Sequence, residues 1–265
     1  MAPARHVEPA RHVEPARHVE PARHVEPANA VRVLREGSLQ VVGRLVNASN
    51  ATLYCRASMA SGAGTLTEVA CVYKPTRGER PLWDFPDATL ANREYAAYLV
   101  SEAAGWAIVP PTLLRDGPFG PGMVQLWVEV DESADVVELV RRSDRRLRRI
   151  ALFDAVVNNA DRKGAHLLPT PDGRVQAVDH GVCFAIEPKL RTVLWGWRGL
   201  SLEPGERATL DRLRSELDGS LGTRLRELLT ALEVDETRRR VEELLRAGRF
   251  PEPDPERPSI PWPPF

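Results

Sequence analysis

The sequence changes character near Asp131, and this change limits the possible folds more than any other feature. Before it, short β-prone runs at about residues 39–46, 51–56 and 68–73 alternate with turn segments rich in Gly, Asn and Ser. After it, longer segments repeat apolar residues at helical spacing. Strands followed by helices predict an α+β fold, with a small antiparallel-sheet lobe and a mainly helical lobe.

The first lobe, residues 29–130, is predicted to hold five strands and one helix. Two further strand-like runs, at 112–115 and 123–130, flank the turn Asp-Gly-Pro-Phe-Gly-Pro-Gly and would complete a five-stranded sheet. Between the third and fourth strands, Asp87 and Thr89 can cap a helix that ends at Gly105.

The second lobe, residues 131–250, is predicted to be mainly helical. Its helices are expected at 136–142, 145–158, 205–218, 221–233 and 235–247, with short strands around Leu167 and at 175–178. The proline-rich residues 251–265 cannot continue a helix. They should be extended, either as a loose tail or as a strap held on the lobe by Trp262 and Phe265.

The N-terminal residues 1–28 are predicted to be disordered and to lie outside the fold. Residues 4–27 repeat the hexapeptide Ala-Arg-His-Val-Glu-Pro four times, which supplies one valine per unit and no other large apolar side chain. Such a segment cannot bury a core. Its regularly spaced histidines leave transition-metal binding as an alternative role.

Composition excludes several classes of partner and site. Lys and Arg number 36 against 37 Asp and Glu, so the net charge does not favour nucleic acid or an anionic membrane surface. The three cysteines lack CxxC spacing, which argues against a disulfide framework or structural zinc and fits a reducing cytoplasm. No apolar run approaches the ~20 residues of a transmembrane helix, so we expect a cytoplasmic protein without a membrane span. The oligomeric state is not indicated.

Four polar residues follow one another in an order that indicates phosphoryl transfer. Lys74 ends the third strand, where its amine can reach nucleotide phosphates, and Glu94 lies twenty residues later in the following helix, where it can orient the lysine. Asp161 stands in a polar loop after an apolar helix, and Asp179 follows a short strand. Each residue alone is ordinary surface chemistry, but the order and spacing together are typical of a kinase.

Residues 152–166 resemble the catalytic loop of phosphatidylinositol 3-/4-kinases and their HipA-like relatives, which place roughly Asn-x-Asp-Arg-x-x-x-Asn after an apolar helix. The segment Ala-Val-Asp-His-Gly at 177–181 is similar to the metal-binding Asp-Phe-Gly element. The resemblance extends over about residues 38–190. The chain also resembles a family of uncharacterised actinobacterial proteins described as phosphatidylinositol-kinase-like, a description that does not establish a lipid substrate.

This resemblance implies roles for the catalytic and metal-binding residues. Asp161 would orient and deprotonate the acceptor hydroxyl, while Arg162 would act beside it, facing phosphate or the loop backbone. Asp179 would hold Mg²⁺ or Mn²⁺. His166 stands where the family has a metal-coordinating asparagine, so it would be the second metal ligand.

The resemblance also implies how ATP would be held. Lys74, oriented by Glu94, would contact the phosphates. The turn at 46–52 would cover them, with Ser49 and Asn50 facing phosphate oxygens. Leu126 and Val128 would meet adenine through main-chain groups.

We therefore expect an ATP-dependent kinase that phosphorylates a hydroxyl on an unidentified protein, small molecule or lipid. The alternative is a nucleotide-binding pseudokinase, which the departure at His166 favours. A third interpretation takes Asp161, His166, Asp179 and His180 as a metal-hydrolase cluster, but it gives the lysine at position 74 no role. Six arginines within residues 141–149 could attract an anionic substrate or a phospholipid headgroup, or form a solvated helix face.

Overall fold

The computed structural model describes residues 27–45, 50–60 and 66–265. The predicted disordered segment therefore lies almost wholly outside the described residues, as do residues 46–49, including Ser49, of the turn predicted at 46–52. The first described element is a helix, α1 (Pro27–Glu36), which begins at the end of the last repeat unit and was not predicted. Ala30, Val33 and Leu34 form its buried face, and this i, i+3, i+4 spacing is the usual pattern of an amphipathic helix.

The five-stranded antiparallel sheet predicted for the first lobe is confirmed, with strand order β1-β2-β3-β5-β4. Its strands are β1 (Ser38–Arg44), β2 (Leu53–Ala60), β3 (Leu66–Pro75), β4 (Thr112–Gly117) and β5 (Gly120–Leu126). Because side chains alternate along a strand, Tyr73 and Cys71 face a small core beneath α1. Lys74 and Val72 lie on the opposite face of the same strand.

Helix α2 (Leu90–Ala103) is confirmed between the third and fourth strands. Its packing, however, does not follow the predicted boundary between the two lobes. Ala96, Ala97 and Val100 belong to the large core that the C-terminal helices form, not to the core under α1. Helix α2 is thus part of the first lobe in sequence and part of the second in packing.

The helical half is confirmed, with shifts at two helix ends. It contains α3 (Val136–Arg141), α4 (Arg145–Val157), the hairpin β6 (Leu167–Pro169) and β7 (Val175–Ala177), then α5 (Pro204–Asp218), α6 (Ser220–Arg226) and α7 (Ala231–Ala247). Helix α6 is shorter and α7 begins earlier than predicted. The reason is a capping box in which Thr230 and Glu233 exchange hydrogen bonds at the start of α7.

The C-terminal segment is extended and is strapped onto the helical half, mainly through its backbone. The carbonyl of Ser259 accepts hydrogen bonds from Thr192 N (3.0 Å) and Trp195 Nε1 (2.8 Å). Trp262, one of the two predicted anchors, is 88% exposed. Within the described ranges, no helix is both long enough and apolar enough to cross a membrane.

Candidate active site

Lys74 is the residue at which three elements meet. Its amine lies 2.5 Å from Glu94 Oε1 on α2 and 3.0 Å from Asp179 Oδ1 in the loop after β7. The lysine sits at the end of β3, so the rigid sheet holds it over this loop. The predicted pairing of Lys74 with Glu94 is therefore present, and Asp179 is part of the same cluster.

These contacts fix the charge states of the cluster. Burial alone would lower the pKa of Lys74, but Asp179 and Glu94 raise that pKa above its ordinary value. The charge of Lys74 in turn holds the pKa of Asp179 well below the usual carboxyl range. The cluster therefore presents an ammonium group beside an ionised carboxylate at neutral pH.

Asp179 is held in an unusual backbone conformation. Its φ is +62°, in the left-handed region that a non-glycine residue seldom occupies, and its side chain is 51% exposed. The following residue fixes this turn, because His180 N donates to Glu94 Oε2 (2.8 Å). Strain of this kind is found where a side chain must be aimed at a ligand, and here it leaves the carboxylate of Asp179 accessible.

His166, the predicted second metal ligand, does lie beside Asp179. Its Nε2 is 3.4 Å from Asp179 Oδ2, and its Nδ1 faces the N–H of Lys163 at 3.4 Å. Burial lowers the pKa of His166 to about 4, so the imidazole is neutral at pH 7. If Nδ1 accepts from Lys163, then Nε2 carries the proton and points it at Asp179. This tautomer positions Asp179 and does not offer a lone pair to a metal.

Asp161 lies in the loop that follows α4. Its backbone N–H donates to Asn159 Oδ1 (3.0 Å), and its carboxylate contacts Lys163 Nζ (3.2 Å). Burial raises the pKa of Asp161, whereas Lys163 opposes this rise. The carboxylate is partly exposed, as an acceptor hydroxyl would require.

Arg162, predicted as a catalytic residue, is completely buried and cannot contact a nucleotide. Its guanidinium forms a paired contact with Asp154 on α4, with Nη2–Oδ1 at 2.9 Å and Nε–Oδ2 at 3.0 Å. It also donates to the carbonyl of Val178 (2.8 Å). Of the two predicted environments, phosphate and loop backbone, only the second is observed, so the catalytic assignment of Arg162 is corrected to a positioning one.

Asp154 and Asn159 are functional candidates that the sequence analysis did not assign. Asp154 Oδ1 also accepts from Asn159 Nδ2 (3.0 Å), and Arg162 Nη2 lies 2.7 Å from His180 Nε2. The network therefore joins the loop of Asp161 to the loop of Asp179. One signal was visible in the sequence: a carboxylate within the apolar run Leu-Phe-Asp-Ala-Val must have a partner if it is buried.

The residues predicted to meet adenine and to cover the phosphates are partly engaged within the protein. Leu126 N donates to Pro111 O (2.9 Å), so its N–H is not free for a base. Asn50 Oδ1 accepts from Arg80 N (2.9 Å). Val128 follows the end of β5 at the connection between the halves. Ser49 cannot be placed.

Two features of the described residues fit a nucleotide and a divalent cation. The accessible Asp179 carboxylate is the oxygen ligand that Mg²⁺ prefers, and Lys74 beside it suits phosphate. On the same sheet face, Tyr54 pairs with Val72 and has a buried hydroxyl without a partner among the described residues. In those residues, no group of three or more His, Cys, Asp and Glu side chains could hold a metal together.

Comparisons with known proteins agree with this architecture. The chain is 43% identical over 268 residues to protein Rv2133c of Mycobacterium tuberculosis, covering 88% of this chain and 94% of that protein. No known protein-family profile matches. Among solved structures it is similar to hydra Fam20 with sugar (14% identity, TM-score 0.51, 85% of this chain and 88% of that one). It is also similar to the Helicobacter pylori proinflammatory kinase CtkA (10% identity, TM-score 0.46, 82% and 94% coverage). The five-stranded sheet, the helical half and the similarity to the Fam20 structure confirm the predicted two-lobed, protein-kinase-like fold.

Proposed function

The chain belongs to the same family as protein Rv2133c of Mycobacterium tuberculosis, whose name states no activity, and we propose from its site that it is an ATP-dependent phosphotransferase. The observation that carries the proposal is the contact of Lys74 with both Glu94 and Asp179. A kinase needs this arrangement, in which a carboxylate on a helix orients the phosphate-binding lysine beside the metal-binding aspartate.

In this proposal Asp161 is the catalytic base. The oxygen of the acceptor hydroxyl attacks the γ-phosphorus of ATP and its proton passes to Asp161, while the bond from the γ-phosphorus to the bridging oxygen of ADP breaks. Burial supports this role because it raises the pKa of Asp161 and makes the carboxylate a better proton acceptor.

The remaining residues bind and position. Lys74 contacts the phosphates, and Asp179 would hold Mg²⁺ or Mn²⁺, a cation that neutralises phosphate charge when bound. Glu94 holds both the lysine and the loop of Asp179. Asn50, Leu126 and Val128 are proposed near the nucleotide on the strength of the resemblance, as is Ser49.

The finer assignment to the phosphatidylinositol 3-/4-kinase-like superfamily rests on the resemblance of the loop containing Asp161 and of the segment containing Asp179. The acceptor is a hydroxyl on a protein, a small molecule or a lipid. A pseudokinase that binds nucleotide without transfer is the second candidate. It is favoured by His166, which stands where the family pattern has an oxygen ligand and whose ring nitrogens face Lys163 and Asp179.

Labelled ATP tests the proposal. The protein, incubated with γ-labelled ATP, Mg²⁺ or Mn²⁺ and a cell extract, should transfer label to a component of the extract. Asp161→Asn should keep ATP affinity and lower transfer by orders of magnitude, whereas Asp179→Asn should lose metal-dependent ATP binding. Asp172→Asn, at an exposed aspartate paired with Arg174, is the matched control and should change neither.

Two results would count against the proposal. Nucleotide binding without transfer to any component would favour the pseudokinase. If the wild-type protein binds no ATP at millimolar concentration with either metal, neither candidate stands.

A further inference from the structure

The arginine-rich run at 141–149 divides into two groups in the structure. Arg141 and Arg142 both pair with Glu138 on α3, on an exposed surface. The four arginines that follow lie on α4 at the edge of a pocket of about 540 Å³. The run is therefore neither one solvated face nor one anion site.

Two more arginines from distant parts of the chain complete this pocket. Arg174 comes from the turn between β6 and β7, and Arg212 comes from α5. The lining thus holds six arginines and two glutamates: Arg145, Arg146, Arg148, Arg149, Arg174, Arg212, Glu203 and Glu206. Side chains from three separate segments converge on one concave, arginine-rich site.

Four of the six arginines are neutralised by carboxylates. Arg148 forms a paired contact with Glu206 (2.7 and 2.9 Å), and Arg145 contacts Glu203 (2.9 Å). The other two pairs are Arg146 with Asp144 and Arg174 with Asp172. Because their charges are already balanced, these four guanidinium groups should contribute little to binding a further anion.

Arg149 and Arg212 differ, because neither has a carboxylate partner among the described residues. Arg149 Nη1 donates to the carbonyl of Trp106 (3.3 Å), and Arg212 Nη2 donates to the carbonyl of Ala104 (2.9 Å). The two carbonyls are two residues apart, so both cations are anchored on one short turn. A guanidinium has five N–H donors, and most of those on these two arginines are unused.

The shape and floor of the pocket favour a small ligand with at least two negative charges. Trp106, Ile108 and Leu152 also line the pocket. Arg149 and Arg212 are exposed, so their guanidinium groups are accessible to an anion. The volume lies within the range of about 300–1,000 Å³ that is usual for small-molecule sites. Two guanidinium forks suit phosphate oxygens, which they bind with paired hydrogen bonds.

We propose that this pocket is a second anion site, separate from the Lys74 cluster, which binds a diphosphate or a phosphate monoester through Arg149 and Arg212. The pocket lies at the N-terminal end of α4, and the Asp161 loop follows the C-terminal end of the same helix. Arg149, the α4 residue of the proposed site, lies eight residues before the end of α4 at Val157, a separation along the helix of about 12 Å at 1.5 Å per residue. The proposal does not depend on the proposed kinase activity.

Inorganic pyrophosphate is the probe, with isothermal titration calorimetry in EDTA so that no metal supports binding near Lys74. The wild-type protein should bind it with one site. The double variant Arg149→Gln/Arg212→Gln should bind at least tenfold more weakly. Arg141→Gln/Arg142→Gln removes two arginines from the same run outside the pocket, so it is the matched control and should bind as wild type does.

Because both arginines anchor the turn at 104–106, the two single variants are measured as well, and each leaves one anchor in place. Each should weaken binding at least threefold with an unchanged melting temperature in the absence of pyrophosphate. The proposal is overturned if the wild-type protein binds no pyrophosphate, if the single variants bind as wild type does, or if the control pair loses as much affinity as the pocket pair.

A separate experiment measures binding to vesicles that carry a phosphoinositide. Binding to vesicles with no binding of free pyrophosphate would also overturn the proposed small soluble ligand.

Discussion

Lys74 and Asp161 depend on different parts of the protein for their charge states. The lysine is held by two carboxylates from α2 and from the loop after β7, so its charge is secured by tertiary structure. Against the effect of burial on its pKa, the aspartate has mainly the neighbouring Lys163, with a smaller contribution from Arg191. The pKa of Asp161, the proposed base, is thus the more easily changed of the two, because substitution of one residue, Lys163, removes a contact that lowers it.

The pH dependence of transfer should reveal this difference. Transfer needs ionised Asp161, and burial raises its pKa above the ordinary value of 3.8, so activity should be lost on acidification through a pKa above that value. Lys163→Ala removes a contact that lowers this pKa, so the acid limb of kcat/KM should move to higher pH. Lys189→Ala, at a lysine paired with Asp84, should leave the limb unchanged. A profile that does not move in Lys163→Ala would remove Asp161 as the titrating base.

His166 can be tested through the choice of metal. If the imidazole binds the cation directly, Mn²⁺ should support ATP binding better than Mg²⁺, and His166→Asn should reduce that preference by restoring an oxygen ligand. If Nδ1 instead accepts from Lys163 and Nε2 faces Asp179, we expect an unchanged metal profile and a lower affinity for both ions in His166→Asn. Titration of both metals at fixed ATP separates the two results.

Local sequence patterns located the charged residues of the site but not the network that holds them. Lys74, Glu94, Asp161 and Asp179 follow from order and spacing along the chain. The role of Arg162 does not, because burial and the pairing with Asp154 depend on how α4 packs against the loops. Whether an arginine faces solvent or the interior is a tertiary property, and the sequence analysis placed this one beside the catalytic base.

Among the elements, strands and long helices were predicted well because their apolar periodicity is strong. Helix α1 was missed because it begins at the last residue of the proline-rich repeat, and its three core residues lie in the short stretch between the repeat and β1. The start of α7 was misplaced although Thr230 and Glu233 carry a capping-box pattern. The first error concerns a whole short helix, and the second concerns an element end, where a few residues decide the boundary.

The C-terminal strap lies directly on the loop that contains Asp161. Gly164 N donates to Pro264 O (2.8 Å), and a β-carbon at position 164 would overlap the ring of Phe265. Gly164→Ala should therefore displace the strap and increase proteolysis of residues 251–265. Adding Phe265→Ala should remove the overlap and restore part of the protection.

The matched control for this element is Gly205→Ala near the start of α5, where a β-carbon would meet nothing within 4 Å. Limited proteolysis followed by mass spectrometry measures protection of the tail in all variants. If Gly164→Ala protects the tail as well as the wild type does, the strap is not held at this contact.

At the scale of the whole molecule, α2 ties the sheet to the helical half. Its residue Glu94 reaches Lys74 on the sheet, while its apolar residues pack in the large helical core. Arg93, one position earlier, is buried and pairs with Glu233 on α7, and it also donates to the carbonyl of Cys183 (2.7 Å). Helix α2 is therefore fixed to the helical half, which holds Glu94 in place for Lys74 without a ligand.

Breaking the buried pair should test this anchoring. Arg93→Met leaves the charge of Glu233 buried without its partner, and a loss of this kind typically costs about 3–5 kcal/mol of unfolding free energy. Adding Glu233→Gln removes that charge and keeps the side chain that caps α7, so the double variant should recover a substantial part of the loss. Urea denaturation measures the unfolding free energies.

The control is the exposed contact of Arg239 with Glu236 on α7, and Arg239→Met should cost less than about 1 kcal/mol. Nucleotide affinity should also fall in Arg93→Met, because Glu94 shares the helix. Equal costs at the buried and exposed pairs, with unchanged nucleotide affinity, would show that α2 is held by its apolar face alone.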